Sequence, residues 1–76
     1  DEAAVARAQR DPAAFAPLYE RYLPAVYGYC RLRLDSAEAA EDATAAVFAK
    51  ALAALPGYRP RREAGFRAWL FTIAHR

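Results

Sequence analysis

About a quarter of the 76 residues are alanine and only three are glycine. Such a chain is strongly biased to helix, because alanine is the best helix former and glycine among the poorest. The same bias limits the core. Broadly counted, 57% of the chain is hydrophobic, yet alanine buries little area. The core must therefore come from a few Leu, Val, Phe, Tyr, Ile and Trp side chains. A chain of this length makes one small domain, residues 1–76, with no room for a large ligand-enclosing core. No stretch approaches about 18 apolar residues without a charge, which argues against a transmembrane helix. Cys30 is the single cysteine, so neither an internal disulfide framework nor a multi-cysteine zinc site is available. With no signal-peptide pattern in view, a reduced, cytoplasmic setting is expected.

Punctuation divides the helical bias into segments. Residues 2–10 read as a short helix. Asp11 and Pro12 form an N-cap and first-turn pair that opens a second one. Its apolar positions, Phe15, Leu18, Tyr19, Tyr22, Val26, Tyr29 and Cys30, fall mostly three or four apart. Pro17 and Pro24 lie inside this pattern and predict a bent helix reaching about Leu34. Asp35 and Ser36 are the next cap candidates, and Asp35 with Glu38 has a capping-box-like spacing. The third helix runs from about 36 to Leu55, where Pro56-Gly57 stops it. Residues 56–64 form an arginine-rich loop carrying Tyr58. A last helix covers about 65–76, with Phe66, Trp69, Leu70 and Ile73 as its inner stripe. The expected fold is all-α, a compact bundle of three main helices plus a short N-terminal one.

Charge is unevenly spread. Residues 35–56 set Asp35, Glu38, Glu41 and Asp42 against Lys50, while residues 57–76 set five arginines against Glu63. An acidic middle and a basic end suggest two surfaces with different partners, although solvated helix faces give the same pattern. On the third helix Val47, Phe48, Ala51 and Leu55 fall on one side. Glu38, Glu41, Asp42, Ala45 and Ala49 fall on the other. The acids suit a helix N-terminus; they also suit a basic helical partner, which the alanines would let approach closely. On the last helix Arg67, Ala68, Phe71, Thr72 and His75 point outward. Phe71 lies about 140° round the helical wheel from Phe66, off the core stripe. Arginines interleaved with aromatics fit single-stranded nucleic acid, with cations on phosphates and rings on unpaired bases. Satellite-core packing of Tyr58 and Phe71 is the competing reading.

Catalysis has little support. There is one histidine, no Ser-His-acid arrangement, no glycine-rich phosphate loop and no metal-ligand cluster, so neither an enzyme nor a cofactor is expected. Cys30 sits on the apolar face of its helix and reads as a small buried hydrophobe.

In order and spacing, DPAAFAPLYERYLPAVYGY at 11–29, AEDATAAVF at 40–48 and FRAWLFTIAHR at 66–76 resemble region 2 of a bacterial RNA polymerase sigma factor of the sigma-70 family, extracytoplasmic-function type. The resemblance implies a transcription initiation factor domain with two contacts. Glu38, Glu41, Asp42, Ala45, Ala46 and Ala49 would meet the clamp helices of the polymerase beta-prime subunit. The 56–64 loop and the last helix would hold the melted −10 promoter element on its non-template strand. Tyr58 would lie beside a flipped-out base. Phe71 would sit on the promoter-facing surface with Thr72, His75 and Arg76, and Trp69 would be a core residue beneath it. Arg59, Arg61, Arg62 and Arg67 would supply phosphate contacts. Ala45 and Ala46 replace the Gln and acid common in the family, and Arg76 replaces an Asn. Region 4 is not present, so the chain reads as part of a longer two-domain factor.

Two further readings compete. A sigma-like module could serve protein interaction, binding an anti-sigma factor or another regulator with little DNA activity. A helix-turn-helix binder of duplex DNA fits less well, because the loop before the last helix is long and carries two prolines.

Overall fold

The computed structural model describes residues 1–60 and 65–75. Four α-helices follow one another: α1 (Glu2–Arg10), α2 (Ala16–Arg33), α3 (Ala37–Ala54) and α4 (Phe66–His75). Short 3-10 turns at Pro12–Phe15 and Leu55–Gly57 lead into α2 and out of α3. The all-α bundle expected from the alanine-rich sequence is the observed fold. Its radius of gyration is 12.3 Å, close to the ~11 Å of a single packed domain of this length.

Local chemistry sets the boundaries. Asp11 caps the first 3-10 turn, its Oδ1 accepting from the Ala13 N–H at 3.1 Å. Pro17 falls in the first turn of α2, where a missing N–H leaves no intrahelical bond unmade, so it does not interrupt the helix. Pro24 is internal to α2 and exposed. Of the two cap candidates before the third helix, Ser36 is the N-cap, with Oγ accepting from the Ala39 N–H at 3.0 Å. Extended backbone at Ser36 aims the short hydroxyl at that donor. The Asp35–Glu38 box is thus one residue out of register.

The longest packing runs between α2 and α3, and α4 lies across both. Leu18, Val26, Leu55 and Leu70 are the largest fully buried side chains. Ala40 and Ala51 are fully buried on α3 and allow neighbouring helices to approach closely. Buried Thr44 donates its Oγ1–H to the Ala40 carbonyl at 2.7 Å, satisfying its hydroxyl within the helix. Cys30 is buried and free, as its apolar-face position predicts. Phe15 and Tyr19 both meet Phe48 edge-on, at 6.3 and 4.9 Å between ring centroids. The α2 stripe narrows to Phe15, Leu18, Tyr22, Val26 and Cys30, leaving Tyr19 exposed and Tyr29 half-buried.

α1 ties down the turn after α3. Val5 and Ala8 are buried. Gln9 Nε2 donates to the carbonyls of Leu55 at 3.1 Å and Tyr58 at 2.7 Å. One side chain thus satisfies two acceptors that leave the helix end, and fixes where the chain turns toward α4. At the other end of α1, Asp1 accepts from the Tyr22 hydroxyl and pairs with Arg21 at 3.0 Å.

Candidate nucleic-acid interface

The N-terminal half of α4 and the turn before it form an aromatic cluster. Tyr58 meets Trp69 at 5.0 Å and Phe66 edge-on at 5.8 Å. Phe66 in turn meets Trp69 at 5.5 Å and Tyr22 at 5.4 Å. The resemblance implies Tyr58 beside a flipped-out base and Trp69 in the core, with satellite-core packing as the competing reading of Tyr58. Tyr58 is only 8% exposed, as the competing reading has it, and Trp69 is half-buried against the core. Gln9 holds the Tyr58 carbonyl while the Tyr58 ring packs inward on Phe66. Trp69 then forms an outer wall of the stack. A cleft of about 250 Å³ opens beside Tyr58, with Val5, Gln9, Tyr22, Phe66 and Arg67 in its lining.

The C-terminal half of α4 carries a second group. Phe71 is half-buried. Its ring meets Tyr29 of α2 edge-on at 5.5 Å, and the Arg67 guanidinium lies 4.8 Å from its centroid. On α2 the Arg33 guanidinium lies 4.0 Å from the Tyr29 centroid. His75 Nδ1 and the Tyr29 hydroxyl share a 2.8 Å hydrogen bond. Thr72 is exposed and returns its hydroxyl proton to the Ala68 carbonyl at 2.9 Å. Phe71 thus keeps its expected place beside Arg67, Thr72 and His75, but it packs on α2 rather than standing free. Arg59 is exposed at the start of the loop. Arg61, Arg62 and Arg76 lie outside the described residues.

The acidic strip is arranged as the wheel predicts. Glu38, Glu41, Asp42, Ala45, Ala46 and Ala49 are all exposed on α3, opposite buried Val47, Phe48 and Ala51. Leu52 extends the strip with an exposed apolar side chain. Beside it a groove between α2 and α3 is lined by Tyr19, Leu23, Pro24, Tyr27, Glu41, Thr44 and Ala45. Helical spacing from Glu38 through Ala45 to Leu52 carries the Leu52 signal. The groove depends on the docking of α2, which no local pattern shows.

The Sigma-70 region 2 family model matches residues 18–76, from the first turn of α2 to the last residue. The chain belongs to this family. As a sigma-70 region 2 domain it is a transcription-initiation domain, and membership implies RNA polymerase core and promoter DNA as partners. The family is not one of enzymes. No curated protein and no solved structure matches the chain. α1 and the first 3-10 turn lie outside the matched residues, although α1 supplies the Gln9 clasp that shapes the sigma domain's aromatic cluster. Among the described residues no helix is long and apolar enough to cross a membrane, and no group of three or more His, Cys, Asp or Glu could hold a metal ion.

Proposed function

We propose that this domain brings RNA polymerase to promoters through two separate surfaces. The acidic strip of α3, from Glu38 to Ala49, docks on the clamp helices of the beta-prime subunit. The loop after α3 and the outward side of α4 bind the melted −10 element as an unpaired strand. The observation that carries the second contact is half-buried Phe71 with the exposed Arg67 guanidinium over its ring. Cations and aromatic rings in one patch suit phosphates and unstacked bases together. The cleft beside Tyr58 supports capture of a base there. Tyr58 acts as its inner wall rather than as a free stacking ring.

Trp69 is the chain's only tryptophan and meets Tyr58 at 5.0 Å, so its fluorescence reports on the aromatic cluster at the Tyr58 cleft. Titration with −10-like single strands should quench it, and a matched duplex should bind more weakly. Phe71→Ala should lower single-strand affinity about 5- to 150-fold, the ~1–3 kcal/mol of one lost base stack. Equal affinity for the variant and the parent chain would remove Phe71 from the surface. For the first contact, Asp42→Arg should abolish capture of a beta-prime clamp fragment while the helical circular dichroism is kept. Undiminished capture would move the interface elsewhere.

A second reading is favoured by the groove of Tyr19, Leu23 and Tyr27 beside Glu41. Its apolar walls and acidic rim suit a helix of an anti-sigma factor or another regulator. In that case a regulator helix would compete with the clamp fragment for α3, and single-strand binding would be weak from the outset.

A further inference from the structure

Two cation–aromatic pairs meet where α2 ends beside α4. Within α2, Arg33 follows Tyr29 by four residues and covers its ring at 4.0 Å. Within α4, Phe71 follows Arg67 by four residues and is covered at 4.8 Å. The two rings touch edge-on at 5.5 Å, and the Tyr29–His75 hydrogen bond joins the helices at the same place. The result is one row, Arg33–Tyr29–Phe71–Arg67, with His75 alongside. Both arginines are exposed, and both rings are only partly buried. Tyr29 and Arg33 lie on α2, outside the loop and α4 surface assigned above.

We infer that Tyr29 and Arg33 are part of the nucleic-acid surface, so that a bound unpaired strand passes from α4 onto the C-terminal end of α2. This rests on the reading of α4 as a single-strand surface. The chemistry follows from what covers each ring. In the free protein a guanidinium lies over each ring, a weak contact at an exposed site. A phosphate is a stronger partner for that guanidinium, as a bidentate, charge-assisted hydrogen-bonding group. When Arg33 turns to a phosphate it uncovers Tyr29, and a base can take the face it leaves. Phosphate capture and ring exposure are thereby linked in one movement, at both ends of the row.

The test compares Arg33→Ala with Arg31→Ala. Arg31 is an exposed neighbour of equal charge, whose guanidinium reaches the Leu34 carbonyl at 3.3 Å instead of a ring. Affinity for a −10-like single strand is measured over a range of salt. Arg33→Ala should reduce the log–log salt slope by about 0.7, the share of one phosphate contact on a single strand. Arg31→Ala should leave the slope as in the parent chain. Equal slope losses in the two variants would reduce Arg33 to net charge and overturn the inference. Tyr29→Ala removes a packed ring and could unfold the end of α2, so Tyr29 is tested in the unaltered chain. A single strand carrying 5-iodouracil is photocrosslinked and the tryptic peptides are mapped. An adduct on Tyr29 supports the inference; adducts confined to the α4 peptide overturn it. Phe71→Ala separates the two claims. If it weakens binding while Arg33→Ala changes nothing, the strand stays on α4 and only the inference falls. If the parent chain binds no single strand, the reading of α4 falls first and the inference with it.

Discussion

At residue scale the burial of Tyr58 and the half-burial of Trp69 decide which substitutions report on function. Tyr58 is buried against Phe66 and Trp69, so truncating it opens a cavity. Tyr58→Ala should cost ~3–5 kcal/mol of stability. Small domains sit toward the low end of ~5–15 kcal/mol in total, so this variant should be largely unfolded in mild urea. Trp69→Ala removes a ring with one side toward solvent and should cost clearly less. Both values follow from urea titrations monitored by circular dichroism. If Tyr58→Ala is as stable as the parent chain, the ring does not occupy the inward position. A binding defect in Tyr58→Ala thus reports folding as much as contact, whereas one in Phe71→Ala, at a half-buried site, reports the surface more directly. The i, i+4 pairs Tyr29–Arg33 and Arg67–Phe71 could be read from spacing alone. Their meeting across two helices could not, because it depends on how α4 lies on α2.

At the scale of elements, short side chains set where helices begin, and α1 holds the turn that separates α3 from α4. Ser36→Ala should cost about 1 kcal/mol, since it removes the hydroxyl that accepts from the Ala39 N–H. Asp35→Ala should fall within ~0.5 kcal/mol of the parent, as an exposed residue outside the cap. Thermal or urea unfolding of both variants checks the assignment, and the reverse order of losses would restore Asp35 as the cap. Gln9→Ala removes two hydrogen bonds to the Leu55 and Tyr58 carbonyls, for about 1–3 kcal/mol in all. It should also release Tyr58, raising the exposure of the Trp69 ring to a neutral quencher such as acrylamide. The helices were legible because alanine content, the proline and glycine punctuation and the 3.6-residue stripes all agreed on α1 to α4. The Gln9 clasp was not. It spans 46 and 49 residues of sequence, and a lone glutamine in a short helix gives no periodic signal. The sequence places Trp69 deeper than the structure does, for a related reason. It shares a stripe with Phe66, Leu70 and Ile73, but stripe membership gives direction, not depth, and the inward Tyr58 fills the space a buried Trp69 would need.

At the scale of the whole molecule, one small bundle carries the acidic strip on α3 and the cation–aromatic row on α2 and α4. The strip faces solvent on α3 beside the α2 groove, while the core-facing side of α3 receives the other helices. A helix with its side chains is about 10–12 Å across. At physiological ionic strength a charge is screened within about 8 Å, and at 0.01 M salt within about 30 Å. Geometry and screening together predict how the two surfaces communicate. At physiological salt, Asp42→Arg should abolish clamp capture yet leave single-strand affinity nearly unchanged. Phe71→Ala should do the reverse. In the double variant the two losses should add to within ~0.3–0.5 kcal/mol, as expected for separate sites with no shared partner. At 0.01 M salt, however, Asp42→Arg should strengthen single-strand binding, because the reversed charge is then felt across the bundle. Titrating the single strand against the four chains of this cycle at both salt concentrations separates the alternatives. Coupling that vanishes at physiological salt is electrostatic, and leaves two independent docking surfaces on a rigid support. Coupling that persists there means that α3 and α4 shift against each other on binding. Such a shift would contradict a bundle in which buried Leu18, Phe48 and Leu70 join α2, α3 and α4 in a single core.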